Sequence, residues 1–190
     1  MSLYLKYRSS TFDEIVERDY TKNILKQQVL KSHSGESFSN YLFYGSRGIG
    51  KTSIARILAK ALNCLDMKDG NPCNKCENCK LISDGKSLDI IEMDAASHTW
   101  VDNIREEIIW KAMYPPLQLK KKVYIIDEVH MLSTGAFNAL LKIMEEPPSY
   151  LVFILATTEL HKVPDTIASR CQVFNFKRIT LKGIVQRLEY

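Results

Sequence analysis

At 190 residues, with 45% hydrophobic and 25% charged residues, the chain has the length of one domain, or of one domain and a fragment, and an ordinary globular composition. No apolar run approaches the ~18–20 residues of a membrane-spanning helix, and the first residues lack a signal peptide's apolar segment, so we expect a cytoplasmic protein with no membrane partner. The formal net charge of +4 permits contact with nucleic acid without arguing for it, and the basic run 120–122 is predicted to be a solvated loop.

Strand and helix signals alternate along the chain. Asp19 is predicted to cap a first helix over residues 20–31. The continuous apolar strands that follow favour an α/β fold, with a five-stranded parallel sheet covered by helices on both faces. The predicted strands are 40–44, 88–93, 123–127, 151–156 and 173–176, and the later helices are 51–63, 101–112, 135–144 and 165–169. Residues 183–190 look like the first helix of a further unit.

Residues 45–52 spell G-x-x-x-x-G-K-T, between the first strand and a helix. The glycines let the backbone curl so that successive N–H groups point at phosphate oxygens, and the helix dipole adds positive potential. Lys51 is expected to reach the β- and γ-phosphates of ATP, and the Thr52 hydroxyl to ligate Mg²⁺. The candidate nucleotide-binding residues here are Gly45, Ser46, Arg47, Gly48, Ile49, Gly50, Lys51, Thr52 and Ser53.

Polar residues follow two later strands, and carboxyl ends of parallel strands line the ligand crevice. Asp127 is expected to hold Mg²⁺ through its water shell, and Glu128 to orient and activate the attacking water. Thr158 can hydrogen-bond the γ-phosphate or that water. Arg170 can stabilise transition-state charge, in cis or from a neighbouring subunit.

The residues Asp127-Glu128-Val129-His130 also spell the D-E-x-H box of a helicase superfamily. A helicase of that class needs two such domains, whereas this chain has room for one and carries one motif set. These observations argue against a helicase of that class. The box itself keeps a P-loop helicase or branch-migration ATPase as an alternative.

Four cysteines, Cys64, Cys73, Cys76 and Cys79, fall as C-x8-C-x2-C-x2-C within an insert of about residues 64–86. The two-residue gaps let adjacent thiolates turn onto one ion, and four thiolates satisfy tetrahedral Zn²⁺ with no open position. The sequence therefore predicts a structural zinc site, with an iron–sulfur cluster as the alternative on ligand type.

Further segments complete a specific set: Asp94-Ala95-Ala96-Ser97, residues 123–133, 137–142, Glu145-Glu146-Pro147-Pro148, residues 153–158 and Ser169-Arg170-Cys171. Together with the phosphate loop and the Cys insert, this set resembles the gamma/tau subunits of bacterial DNA polymerase III, the AAA+ ATPases that drive the clamp loader. The resemblance runs from about Tyr4 to the end. It is specific because archaeal and eukaryotic clamp-loader subunits share the core without the zinc insert.

The resemblance implies a P-loop NTPase (AAA+) α/β/α domain over residues 1–176, and the start of a helical lid over 177–190 whose sensor-2 arginine lies further on. Residues 45–52 would be its Walker A loop and Asp127-Glu128 its Walker B pair. Thr158 would be sensor 1 and Arg170 the arginine finger offered in trans, while residues 4–8 would pack near the adenine.

The activity that the resemblance implies is ATP-driven loading of the sliding clamp onto primed DNA. Partners would be the delta and delta-prime subunits, further gamma/tau copies, the sliding clamp and primer-template DNA. A DNA-directed DNA polymerase or nucleotidyltransferase label would come only from holoenzyme membership. A non-hydrolysing scaffold module of the same assembly is the alternative in another class.

The chain also departs from the family pattern. Glu17-Arg18 stand where the family usually has Gly-Gln, and Ser9 and Ser46 replace usual prolines. His98-Thr99-Trp100 replace the usual Asn-Arg-Gly.

Overall fold

The computed structural model describes residues 7–36, 40–97 and 110–189. Its strands form one parallel sheet in the order β2-β3-β4-β1-β5. The predicted α/β fold with a five-stranded parallel sheet is therefore confirmed. The strands are β1 (Asn40–Tyr44), β2 (Ile90–Asp94), β3 (Lys122–Asp127), β4 (Leu151–Thr157) and β5 (Gln172–Asn175).

The helices of the described ranges are α1 (Asp19–His33), α2 (Lys51–Leu62), α3 (Glu77–Ser83), α4 (Thr134–Glu145), α5 (Asp165–Ala168) and α6 (Leu181–Leu188). Short 3₁₀ turns follow β3 at Val129–Met131 and β4 at Leu160–Lys162. Helix α3, within the Cys insert, was not predicted. Residues 101–109 of the predicted helix 101–112 lie outside the described residues, and 110–113 are helical. Among the described helices, none combines the length and apolar character needed to cross a bilayer.

Two apolar layers cover the sheet, one on each face. Alternate strand residues point to opposite faces, so Tyr41 and Phe43 pack into one layer while Leu42 packs into the other. The first layer joins the sheet to α1 and α2, and the second joins it to α4 and α5. The central strand β4 is buried along its whole length. This is the three-layer arrangement that continuous apolar strands predicted.

Strand β2 begins two residues later than predicted because Asp89 binds a neighbouring turn. Its buried carboxylate accepts hydrogen bonds from the backbone N–H groups of Leu117, Gln118 and Leu119, at 2.8–2.9 Å. The residue before it, Leu88, is exposed. An apolar pattern alone does not distinguish such a turn-binding carboxylate from a strand position.

The predicted cap at Asp19 is wrong. The residue before α1 is Arg18, which has a left-handed φ of 62° and makes no side-chain capping bond. Asp19 lies inside the first turn and pairs with Lys22 at 2.7 Å. Glu17 also has a left-handed φ, 61°, so two successive unusual backbone conformations set the start of the helix.

The predicted solvated loop at 120–122 is also wrong for two of its three lysines. Lys121 and Lys122 are buried. The Lys121 ammonium donates to the Ser149 carbonyl at 2.6 Å, and the Lys122 ammonium donates to the carbonyls of Lys111 and Tyr114 at 2.8 Å each. Backbone carbonyl groups near the amino ends of the strands thus accept the hydrogen bonds that water was expected to accept from these two ammonium groups.

Candidate functional site

The loop 45–52 leaves the carboxyl end of β1 and leads into α2, as predicted. Gly45 has a φ of 149°, and a Cβ there would lie 2.3 Å from the Phe176 carbonyl oxygen, so the position requires glycine. The Gly45 N–H donates to the Thr157 carbonyl at 3.2 Å, which ties the loop to the end of β4. Gly50, with φ 93°, immediately precedes the first turn of α2. The helix N-terminus therefore opens onto the loop.

Lys51 lies folded over the loop that precedes it. Its ammonium donates to the carbonyls of Gly45 at 2.8 Å and Ser46 at 3.1 Å, and the side chain is buried. Burial lowers the pKa of Lys51, while the nearby carboxylates of Glu128 and Asp127 act in the opposite direction. The ammonium therefore has hydrogen-bond partners that a phosphate oxygen can replace.

Thr52 and Asp127 meet at the start of α2 and the end of β3. The Thr52 hydroxyl donates to Asp127 Oδ2 at 2.6 Å, and Asp127 Oδ1 accepts from the Glu128 N–H at 2.9 Å. A hydroxyl and a carboxylate are oxygen donors of the kind Mg²⁺ prefers, so this pair fits a magnesium ion that keeps part of its water shell. A cleft of about 490 Å³ opens beside the pair and is lined by Arg8, Thr52, Arg56, Glu92, Met93, Asp94 and Asp127.

Glu128 and Thr158 also lie together, at the ends of β3 and β4. The Thr158 hydroxyl and N–H both donate to Glu128 Oε2, at 3.0 and 3.3 Å. His130 joins this group: its Nδ1 lies 2.9 Å from the Thr157 hydroxyl oxygen and 3.4 Å from Glu128 Oε2, while its Nε2 lies 3.3 Å from Glu159 Oε1. His130 belongs to the D-E-x-H box and to the segment 123–133, but neither pattern predicts these contacts.

Arg170 lies near the amino ends of the strands, whereas the loop 45–52 lies at their carboxyl ends. Its guanidinium donates to the Thr166 carbonyl at 2.8 Å and to Glu145 Oε1 at 2.9 Å. Its own carbonyl accepts from the side chain of Asn40, the first residue of β1, at 3.1 Å. The loop begins after the last residue of β1, about 16 Å further along the strand. The structure therefore does not bring Arg170 to the loop of its own chain.

A larger cleft of about 810 Å³, predominantly apolar, lies beside the loop. One wall is the segment 7–18, here called the N-terminal arm, and the other is α6. The Arg187 guanidinium on α6 donates to the Tyr7 carbonyl at 2.7 Å, which joins the two walls. Of the residues 4–8 that were predicted to pack near the adenine, Tyr7 and Arg8 line this cleft, and residues 4–6 lie outside the described residues. A cleft of this volume beside a glycine loop has room for a small molecule the size of a base and a sugar.

Arg18 and Glu17, which depart from the family pattern, both contact the segment after β5, and Arg18 also contacts the loop. The Arg18 guanidinium donates to the carbonyls of Ile49 at 2.7 Å and Lys177 at 3.1 Å, and it lies 5.0 Å from the centre of the Phe176 ring. The Glu17 carboxylate accepts from the N–H and the hydroxyl of Thr180, just before α6. No motif or periodicity in the sequence indicates these contacts.

The four cysteines of the insert converge, as their spacing predicts. Their sulfur atoms all lie within 4.8 Å of one another, and the Cys64–Cys76 and Cys73–Cys79 Sγ distances are both 4.0 Å. Four sulfurs bound tetrahedrally to zinc at about 2.3 Å stand about 3.8 Å apart, so the cluster fits such an ion. All five cysteines of the chain are described, and none forms a disulfide.

The surroundings of the cluster favour thiolates at part of it. Burial raises the pKa of Cys73, but hydrogen bonds from the N–H groups of Lys75 and Cys76 outweigh it and lower that pKa to about 6. Burial raises the pKa of Cys64 and Cys79 above the usual thiol value. A cation that ligates all four would offset this cost, since it favours the thiolate form at every sulfur. The group can therefore hold a metal ion.

A family model described as DNA polymerase III, delta subunit matches residues 20–180 of the chain. Curated relatives include DNA polymerase III subunit tau of Bacillus subtilis, 52% identical over 98% of this chain, and of Escherichia coli, 45% identical over 97%. DNA polymerase III subunit gamma of Buchnera aphidicola is 47% identical over 95% of this chain. The chain spans 32%, 28% and 48% of the length of these three relatives.

Solved structures share the fold at lower identity. A DNA polymerase III gamma-subunit-related protein of Thermotoga maritima matches 84% of this chain and 46% of its own length, with 22% identity and a TM-score of 0.57. The RuvB Holliday junction branch migration motor of Thermotoga maritima matches 96% of this chain and 53% of its own length, with 18% identity and a TM-score of 0.65. At this identity the likeness concerns the fold alone.

Proposed function

The chain belongs to the DNA polymerase III, delta subunit family, and from that premise and its likeness to gamma and tau subunits we propose that it binds and hydrolyses ATP as part of a clamp-loader motor. One observation carries the proposal. A glycine loop, a buried lysine, an oxygen pair suited to Mg²⁺ and a carboxylate held by a threonine converge at the carboxyl ends of β1, β3 and β4, beside an apolar cleft.

Each side chain has a role in this proposal. The loop N–H groups and the Lys51 ammonium bind phosphate oxygens, and the cleft between the N-terminal arm and α6 takes the base. Thr52 and Asp127 would hold Mg²⁺, which supplies neutralisation of phosphate charge. Glu128 accepts the proton of the attacking water, and Thr158 orients both that carboxylate and the terminal phosphate.

Arg170 acts in trans in this proposal, on ATP bound to a neighbouring subunit. The support is its position at the amino edge of the sheet, about a strand length from its own loop. Its ion pair with Glu145 is exposed and therefore weak, so a neighbouring phosphate can replace it. The active unit is then an assembly and not a single chain.

The same proposal covers domain organisation and partners. Residues 1–176 form the AAA+ module with a zinc-holding insert, and 177–190 begin a lid. ATP turnover in an assembly of gamma/tau copies with the delta and delta-prime subunits loads the sliding clamp onto primer-template DNA. A transferase or polymerase classification would follow from holoenzyme membership alone.

The scaffold alternative predicts binding without turnover, and the complete set Lys51, Thr52, Asp127 and Glu128 argues against it. The branch-migration alternative rests on a likeness of fold at 18% identity, which carries no activity.

Glu128→Gln tests the proposal in the assembled complex. The amide oxygen can still accept from Thr158, so ATP affinity should stay within about twofold of wild type. Turnover should fall by about 10²-fold or more, because general-base catalysis typically contributes 10²–10⁴. Affinity is measured by calorimetric titration, and turnover by phosphate release with sliding clamp and primed DNA. Glu146→Gln, an exposed carboxylate at the end of α4, is the matched control. Wild-type turnover in Glu128→Gln would overturn the assignment of Glu128, and no turnover in the wild-type complex would favour the scaffold.

A further inference from the structure

The N-terminal arm and the Cys insert lie against one another, although only the arm lines the large cleft. Glu14, Ile15 and Val16 form part of the wall of that cleft. The insert contributes none of the cleft's lining residues. The bonds between arm and insert therefore connect the cysteine cluster to a wall of the nucleotide site.

Asn74 makes the first of these connections. It follows Cys73 directly and has a left-handed φ of 57°. Its amide nitrogen donates to Ser10 of the arm, at 3.2 Å to the hydroxyl and 3.4 Å to the carbonyl. The hydroxyl and N–H of Ser10 in turn donate to the Glu14 carboxylate, at 2.9 and 2.7 Å. A continuous chain of hydrogen bonds thus runs from the cluster to the cleft wall.

Asn74 is held from its other side by the helix that begins at the phosphate loop. Its side-chain oxygen accepts from the Lys60 ammonium of α2 at 2.6 Å. Lys60 is itself buried, and burial lowers its pKa while the neighbouring cysteines act in the opposite direction. The amide is therefore oriented by a fixed cation.

Asn71 makes the second connection. Its side-chain oxygen accepts from the Phe12 N–H at 3.0 Å, and its amide nitrogen donates to the Asp13 carboxylate at 2.7 Å. The Lys26 ammonium of α1 lies between two carboxylates, 2.7 Å from Asp13 of the arm and 3.0 Å from Asp69 of the insert. The same strip of insert thus engages two consecutive arm residues.

The segment that carries both asparagines is organised by the cysteine cluster. Between Cys64 and Cys76 its regular structure is a single bridge, Lys68 to Asn71, and N–H groups at 73, 75 and 76 donate to cysteine sulfurs. A metal ion that holds the four sulfurs holds this segment in place. Without such an ion, the sulfur contacts no longer fix the segment, and the contacts of Lys60 with Asn74 and of Lys26 with Asp69 hold it less firmly against the arm.

We propose that Asn71 and Asn74 are positioning residues of the nucleotide cleft, through which metal in the Cys insert holds the arm and raises nucleotide affinity. This inference rests on the proposed ATP site. Phe12 is fully buried in the core and anchors the middle of the arm independently, so loss of the connections changes the wall without releasing the arm. We therefore expect a moderate effect, about threefold to tenfold in affinity.

The test compares Asn71→Ala/Asn74→Gly with wild type. Glycine keeps the left-handed backbone at 74 and removes only the side chain. Asn78→Ala is the matched control, because that amide, in the same insert, donates to the Asn63 carbonyl and not to the arm. Binding of a fluorescent ATP analogue in Mg²⁺ is titrated at equal metal content, and hydrogen exchange is followed over residues 8–16. The double variant should bind about threefold to tenfold more weakly with faster exchange in the arm, and the control should match wild type.

Metal depletion supplies the second half of the test. Protein is dialysed against a chelator, returned to Mg²⁺ and titrated again. Depletion should weaken binding by wild type to about the level of the double variant, and should weaken binding by the double variant little further. Equal affinity in wild type, depleted wild type and the double variant would overturn the inference.

The double variant could lose its metal, which would confound the comparison. Ser10→Ala avoids this, because Ser10 lies in the arm and outside the Cys insert. It removes the link from Asn74 to Glu14 through the Ser10 hydroxyl and leaves the contacts of the Ser10 carbonyl and N–H in place. It should weaken analogue binding at full metal content, and unchanged binding would count against the proposal. Failure of metal-replete wild type to bind the analogue would instead refute the proposed ATP site.

Discussion

At the scale of single residues, Lys51 is the side chain whose loss should affect nucleotide binding most. Its side chain is buried, and its ammonium donates hydrogen bonds to two carbonyls of the loop 45–52. Lys51→Ala should weaken ATP binding by about tenfold to a hundredfold, since a charged hydrogen bond contributes about 1.5–3 kcal/mol. Calorimetric titration checks this, with the exposed Lys31→Ala of α1 as control. Equal affinities for the two variants would refute the role of Lys51.

Gly45 offers a test of the loop backbone in the absence of ligand. Gly45→Ala should lower the free energy of unfolding by about 1–3 kcal/mol, because the φ of 149° is strained for alanine and the added Cβ meets the Phe176 carbonyl. Gly135→Ala, in the first turn of α4 with 3.9 Å to the nearest atom, should leave stability unchanged or raise it by up to about 1 kcal/mol. Urea titration measures both, and a harmless Gly45→Ala would contradict the described loop.

For the proposed nucleotide site, the sequence indicates the loop and strand-end residues but not the contacts that surround them. Gly45, Lys51 and Asp127 follow from a motif because phosphate and Mg²⁺ constrain backbone and charge locally. His130 and Arg18 were not predicted as contacts because their partners, at Glu159 and Lys177, are brought near only by the folded sheet. Such pairings carry no local signal.

At the scale of elements, every predicted strand is present, and the helices that fall within the described residues begin and end within two residues of their predicted bounds. Buried parallel strands are continuously apolar and their helices periodic, so local patterns suffice. The exceptions have tertiary causes. Asp89 binds the turn at 117–119 and shortens β2. The buried residue of α3 is Cys79 of the cluster, so no apolar periodicity marks this helix.

The Cys insert leads to a prediction about metal. Elemental analysis should find one zinc per chain, and Cys76→Ser should lose it because a hydroxyl is a poor substitute for a thiolate ligand. The β-sheet should remain folded, since neither apolar layer of the sheet includes Cys76. Circular dichroism at fixed temperature checks the sheet. Cys171→Ser, outside the cluster, should retain zinc. Metal-free wild-type protein with four reactive thiols and unchanged melting would contradict a structural zinc site.

At the scale of the whole molecule, the placement of Arg170 predicts that sites are shared between subunits. Arg170→Ala in the assembled complex should keep ATP affinity and lower turnover by about 10³–10⁵, the value of an arginine finger in other P-loop enzymes. Arg178→Ala, an exposed arginine on the segment before α6, is the control. Turnover by an isolated monomer at the rate of the complex would refute the shared site.

The arrangement of strands has a consequence for biosynthesis. In the described sheet, β1 pairs only with β4 and β5. Leu42 therefore cannot pair until Leu155 and Val173 have been synthesised. At roughly 5–20 residues per second, the ribosome needs on the order of ten seconds to make the intervening chain. During that time β1 is unpaired on both sides, and the loop 45–52 lacks its contact with the end of β4. A nascent chain halted before β4 should therefore be a substrate for chaperones and unable to retain nucleotide, whereas one extended past β5 can fold around it.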